Sequence, residues 1–100
     1  MKYPSVLSPG ARADFRSAVR WYQRINLNLA FCFRLETLAT IRRIESFPYQ
    51  FPVADGIMRR ALLKRFPYSI YFDLNDDEAF VIAVVHQRRS GTIWMDRRGK

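Results

Sequence analysis

Cysteine is nearly absent from this chain: Cys32 stands alone, so no internal disulfide can form. That excludes a disulfide-stapled secreted scaffold and fits a reducing compartment. Inside a helical pattern, a lone cysteine reads as a small core hydrophobe. Glycine is scarce, at 4 residues, which excludes a glycine-rich loop that cradles phosphate. Histidine occurs once and the acidic residues gather in a turn without ligand spacing, so neither a metal nor a cofactor is expected. No nucleophile sits in an elbow motif or beside an orienting partner, leaving serine and cysteine hydrolase chemistry unsupported. No apolar run approaches the roughly 18 residues of a membrane span, and no charged-then-apolar leader opens the sequence. A soluble cytoplasmic protein without membrane contact is the expectation.

What is abundant is positive charge. Against 9 acidic residues stand 17 Lys and Arg, a formal net charge of +8. Fourteen of the seventeen are arginine, whose planar fork suits bidentate contacts with phosphate or carboxylate. A nucleic acid or an acidic protein segment would both exploit such a field. At 100 residues, with 49% apolar and 15% aromatic side chains, the chain is long enough for one domain with a packed core.

The pattern along the chain is α+β in the order β-α-α-β-β-β. Residues 3–8 read as a short first strand, with Pro4 tolerable at its start. Ser8-Pro9 is a helix opening, serine as N-cap and proline at the first helical position. Ala11, Phe15, Ala18 and Tyr22 then recur on one face of a helix running to about Arg24, while Arg12, Arg16, Arg20 and Arg24 line the opposite, solvated face. Asn26-Leu27-Asn28 reads as a tight connection into a second helix, from about Leu29 to Ser46, with Ala30, Phe33, Thr37, Ile41 and Ile44 on one side. Phe31, Leu35 and Leu38 widen its apolar surface, so contact with both the first helix and the sheet is expected. Prolines 48 and 52 make residues 47–56 an ordered, aromatic-pinned loop.

Three strands follow, at about Met58–Lys64, Tyr68–Leu74 and Ala79–Val85, the last two joined by the turn Asn75-Asp76-Asp77-Glu78. Tyr68–Leu74 alternates as a half-covered strand, and Ala79–Val85 is apolar on both faces, which marks it as central. The expected architecture is an antiparallel two-helix hairpin on one face of a small, mostly antiparallel sheet of three or four strands. Its other face is expected to lie partly open and to be rimmed by arginine.

The residues that carry chemistry cluster in this second half. Arg59, Arg60, Lys64 and Arg65 surround the first meander strand, and His86, Arg88 and Arg89 close the third. Strict alternation puts Arg60 and Lys64 on one face and Arg59 and Arg65 on the other. Histidine titrates near neutral pH and suits proton transfer, although a strand-end histidine bonded to backbone is the plainer reading. RNA cleavage through the 2′-hydroxyl needs a base, charge stabilisation at phosphorus and an acid, and these groups are of the right kind. The same arginine forks would also grip an acidic peptide; residue types alone leave both open.

In its order of elements and motifs, the chain resembles the RelE/ParE superfamily of bacterial type II toxins, within it the ParE-like branch. The resemblance runs through Ala13-Asp14-Phe15, Trp21-Tyr22, Ile44 to Pro48, Arg59-Arg60, Lys64-Arg65-Phe66-Pro67-Tyr68, Ile70-Tyr71, Val84-Val85-His86, Arg88-Arg89 and Trp94. It implies a single toxin domain over residues 1–100. Arg97, Arg98 and Lys100 make residues 94–100 a basic tail whose order the sequence leaves open. It further implies neutralisation by a small cognate antitoxin with an acidic C-terminal segment, and contact with operator DNA only through that antitoxin. ParE-like members inhibit DNA gyrase, whereas RelE-like members cut messenger RNA on the ribosome. RelE-type ribonucleases carry an arginine directly after the middle-strand tyrosine, where this chain has Ser69, and a tyrosine near the C-terminus, where it has Trp94. The resemblance therefore points to a gyrase inhibitor, with the ribonuclease as alternative. Candidate catalytic residues for that alternative are Arg60, Lys64, His86 and Arg88. Candidates for binding antitoxin or target are Arg59, Arg60, Arg65, Tyr68, Tyr71, His86, Arg88, Arg89 and Trp94.

Overall fold

The computed structural model describes residues 2–89. In chain order they form β1 (Ser5–Leu7), α1 (Pro9–Ile25), α2 (Leu27–Ser46), a 3-10 turn at Pro48–Gln50, β2 (Val53–Asp55), β3 (Met58–Leu62), β4 (Tyr68–Leu74), β5 (Ala79–His86) and a 3-10 turn at Gln87–Arg89. The sheet order is β1-β5-β4-β3-β2, parallel only between β1 and β5. The α+β expectation holds, with five strands where three or four were expected. The extra strand is β2, three residues long and directly after Pro52, so composition gave it a loop signature. Gly56, at φ 56°, turns it into β3, a backbone region that glycine enters without a Cβ clash.

Helix boundaries follow their caps. Ser8 Oγ accepts from the Ala11 amide at 3.0 Å and Pro9 occupies the first turn, as the sequence predicts. The connection between the helices is shorter than expected, because Asn26 serves both. Its amide donates to Tyr22 O at 2.8 Å while its Oδ1 accepts from the Asn28 and Leu29 amides at 2.7 and 3.3 Å. The second helix therefore starts at Leu27 rather than Leu29.

Helix α1 also completes the sheet where β1 stops. β1 pairs with β5 only as far as Leu7 opposite Val81. From there the Ser8 amide donates to Val81 O at 2.9 Å, Ser8 Oγ donates to Ile82 O at 3.0 Å, and Asp14 Oδ2 accepts from the Val84 amide at 3.0 Å. Edge groups of β5 that would otherwise be buried without partners are thus bonded to α1. A Ser8→Ala variant loses the cap and the hydroxyl's bond to the Ile82 carbonyl. A loss of about 1–2 kcal/mol is expected, read as a lowered urea midpoint with unchanged slope.

The pairing of β4 with β5 slips between Tyr71 and Phe72, so that Tyr71 faces Ala83 while Phe72 faces Val81. Ile82 is the extra residue of this bulge. Under the helices lies the main core, where Phe33, Ile44, Ile70, Phe72 and Val81 meet Ala11, Ala18 and Phe66. The opposite face carries a second apolar cluster of Met58, Tyr71, Ile82, Ala83 and Val85. Here two expectations are corrected. β4 is buried on both faces rather than half-covered, with Ser69 at 1% and Tyr71 at 3% exposure, and the apolar residues at the centre of the far face are buried as well. The bulge contributes to this by turning Ile82 and Ala83 to the same side.

Candidate functional site

The sequence-nominated residues lie in three separate environments. Arg59 lies on the helix side of β3, where its Nη1 donates to Phe51 O at 2.7 Å and its guanidinium stacks on the Tyr49 ring at 5.0 Å. It pins the 47–52 segment to the sheet, a structural duty. Arg60 is its opposite: paired across from Tyr71, it faces the far side, half-buried, with no side-chain partner among the described residues. Ser69 lies on the same face, paired between Leu62 and Val85, and is buried.

Lys64 does not share a face with Arg60, contrary to the alternation expected for a strand reaching residue 64. β3 ends at Leu62, and after Leu63 the backbone turns toward α2. The Lys64 and Arg65 amides both donate to Glu36 Oε2, the second at 2.9 Å, and Arg65 Nε pairs with Glu36 Oε1 at 3.3 Å. The Arg65 side chain is 74% exposed, so this ion pair adds little by itself. Two backbone amides converging on one carboxylate are what holds the connector to the helix.

His86 and Tyr68 pair across β4 and β5 at the end of the sheet, their rings edge-on with centroids 5.3 Å apart. Both lie on the helix side, Tyr68 within the core together with Tyr22 and Phe33. Burial, and then the neighbouring Tyr68, raise the Tyr22 phenol above its usual pKa, so it stays a neutral packing group. His86 Nδ1 accepts from the Arg88 amide at 3.1 Å, which leaves Nε2 carrying the proton of the neutral ring. The backbone-bonded histidine expected as the plainer reading is present. Arg88 is exposed in the 3-10 turn. The Arg89 side chain, Trp94 and the 94–100 tail lie outside what the structure describes.

The structure therefore does not gather Arg60, Lys64, His86 and Arg88 around one point. Arg60 is on the far face, Lys64 beside α2, and His86 with Arg88 at the sheet's end. It gathers something else. Arg43, Lys64 and Arg65 line a groove of about 400 Å³ between α2 and the β3–β4 connector, together with Leu35, Ala39 and Thr40. Next to it the outer face of α2 is apolar and exposed. Leu27 is 73% exposed, Phe31 60%, and Leu35 and Leu38 about half. The expectation that Phe31, Leu35 and Leu38 would meet α1 and the sheet is overturned. The residues contacting those elements are Ala30, Phe33, Thr37, Thr40, Ile41 and Ile44, and a helix has only one side to give to a core. The signal was present in the sequence, as apolar steps of four, four and three from Leu27 to Leu38, a second stripe beyond the one the core uses.

Among the described residues no three His, Cys, Asp or Glu side chains are placed to hold a metal ion. No helix among them is long and apolar enough to cross a membrane. No protein-family model matches the chain, and no curated protein matches it. Among solved structures, one chain of "Chromosomal ParDE TA system from P. aeruginosa" is similar, with a TM-score of 0.75 at 17% identity, over 85% of this chain and 96% of that one. At that identity the likeness is one of fold, and it extends over most of both chains.

Proposed function

We propose that this chain is the toxin of a bacterial type II toxin–antitoxin pair, held inactive by a cognate antitoxin, and that it acts in the cytoplasm by inhibiting DNA gyrase through protein contacts. The observation that carries the reading is the fold likeness to a chain of the ParDE system across nearly the whole domain. The surface agrees with it. A protein that works by binding other proteins needs exposed apolar area with charge around it, and α2 with its groove supplies both. RelE-like cleavage of messenger RNA is the alternative reading, with Arg60, Lys64, His86 and Arg88 as its candidate residues.

The test is a supercoiling assay with purified chain and DNA gyrase. Loss of supercoiling at micromolar chain is expected, together with no chain-dependent cuts when translated messages are mapped by primer extension. Unchanged supercoiling would remove gyrase as the target, and message cleavage would replace it with the ribosome.

A further inference from the structure

We propose that the far face of the sheet is covered by the chain's own C-terminal segment, residues 90–100, with Trp94 laid over the apolar centre and Asp96 against Arg60. Burial, chain length and charge carry this independently of the toxin reading.

Met58 and Ala83 are 0% exposed, Tyr71 3% and Val85 6%. With Ile82 they form the cluster on the side of the sheet away from the helices. Both helices pack on the opposite face, Ala11, Ala18 and Phe33 against Ile70, Phe72 and Val81. Strand side chains stand roughly perpendicular to a sheet, so neighbours within it shield their flanks and leave their tips in water. A tyrosine in the middle of a bare face is therefore wet over much of its ring. Tyr71 needs a layer above it, and the described residues packed in this cluster all belong to β3, β4 and β5 themselves.

The rest of the chain starts in the right place and is long enough. The turn Gln87–Arg89 closes β5 at the end of the sheet, where the Gln87 amide donates to Pro67 O at 2.8 Å. Residues 90 to 100 follow. At about 3.3 Å per residue they reach about 36 Å, against about 26 Å for the 8 residues of β5. Met1 alone cannot roof five side chains.

Order along the segment matches order along the face. Running back from that end, the face presents Val85 and Ser69, then Ala83 and Tyr71 with Arg60 on the neighbouring strand, then Asp73 with Met58. The segment presents Ile93, Trp94 and Met95, then Asp96, then Arg97 and Arg98. Apolar residues arrive first, over the apolar centre. An acid arrives at Arg60, half-buried and without a side-chain partner among the described residues. Two bases arrive at Asp73, whose Oδ1 is buried and unbonded among them. Unpaired charge near an apolar surface is costly, so a cover of opposite charge is favoured. A second copy would add to a net charge of +8 and is diluted, whereas the chain's own tail is always at hand.

The chain has two tryptophans, and Trp21→Phe, at an exposed position of α1, leaves Trp94 as the only one. In that full-length background, acrylamide is expected to quench Trp94 several-fold less in the folded chain than in urea, with emission shifted to the blue. Arg60→Glu is expected to raise quenching toward the unfolded value, and Asp96→Arg added to it is expected to restore protection. Trp94→Ala is expected to increase the fluorescence of added anilinonaphthalene sulfonate, because the apolar centre is then uncovered. Far-ultraviolet circular dichroism and urea melts establish that each variant is folded.

Quenching of Trp94 that is as strong folded as unfolded overturns the proposal, as does protection indifferent to Arg60→Glu. Protection that is lost on dilution, together with a dimer in sedimentation, overturns it in favour of a second copy. The two readings fail separately. A shielded Trp94 stands whether or not supercoiling is inhibited, and an exposed one leaves the toxin reading untouched.

Discussion

Replacing Phe33 by alanine is expected to cost about 3–5 kcal/mol and to leave a substantial fraction of the chain unfolded at 37 °C. Phe33 is fully buried and its ring meets Phe15, Tyr22, Phe66 and Tyr68 at centroid distances of 5.9, 5.2, 5.3 and 5.1 Å. Those neighbours come from α1, from the β3–β4 connector and from β4, so the ring is where three parts of the chain meet. Aromatic neighbours are large and rigid and cannot collapse into the vacated space, which puts the cost toward the upper end of the range. A domain of this length has about 5–15 kcal/mol in total. Urea unfolding followed by tryptophan fluorescence reads the loss directly. The internal comparison is Phe31→Ala, two residues away and 60% exposed, which should change stability by no more than about 0.5 kcal/mol. Comparable losses for the two would mean that α2 is rotated from the orientation described.

Asp14→Ala is expected to cost about 2–3 kcal/mol, more than its place on a helix surface suggests. Its carboxylate accepts from the Val84 amide at 3.0 Å, beyond the point where β1 stops pairing with β5. Val84 is buried, so removing the carboxylate leaves an N–H that neither water nor a neighbouring strand can reach. Asp14→Asn keeps an acceptor of the same shape and should recover most of the loss. Amide hydrogen exchange locates the effect. Val84 should lose protection in the alanine variant well before Ile70 on the facing strand does. An equal loss for aspartate-to-alanine and aspartate-to-asparagine would assign the residue a charge role instead of a bonding one.

The same few residues divide what is legible in a sequence from what is not. Ser8-Pro9 announces the start of α1 because capping is local chemistry, complete within four residues. Tyr68–Leu74 and Ala79–Val85 announce strands because alternation and β-branched side chains are local too. Asn26 is legible as a break but not as the shared cap of two helices, which depends on how both chain directions leave it. Lys64 is misplaced by alternation because where β3 ends is decided by Glu36, 28 residues earlier, holding the Lys64 and Arg65 amides. His86 is legible as the one group suited to proton transfer. That its Nδ1 is engaged by the Arg88 amide and its ring by Tyr68 depends on how the two strand ends meet.

By itself, the sequence determined the class of the fold, the order of its elements apart from β2, the absence of any internal disulfide, and a large excess of positive charge. Composition, periodicity and capping are properties of neighbouring residues, and they survive reading in one dimension. The tertiary structure alone decided which of two apolar stripes on α2 faces the core, that the apolar residues on the far side of the sheet are buried, and that the candidate cations lie on different elements. Each of those outcomes depends on which distant segment reaches a surface first, and burial of one face leaves the other free.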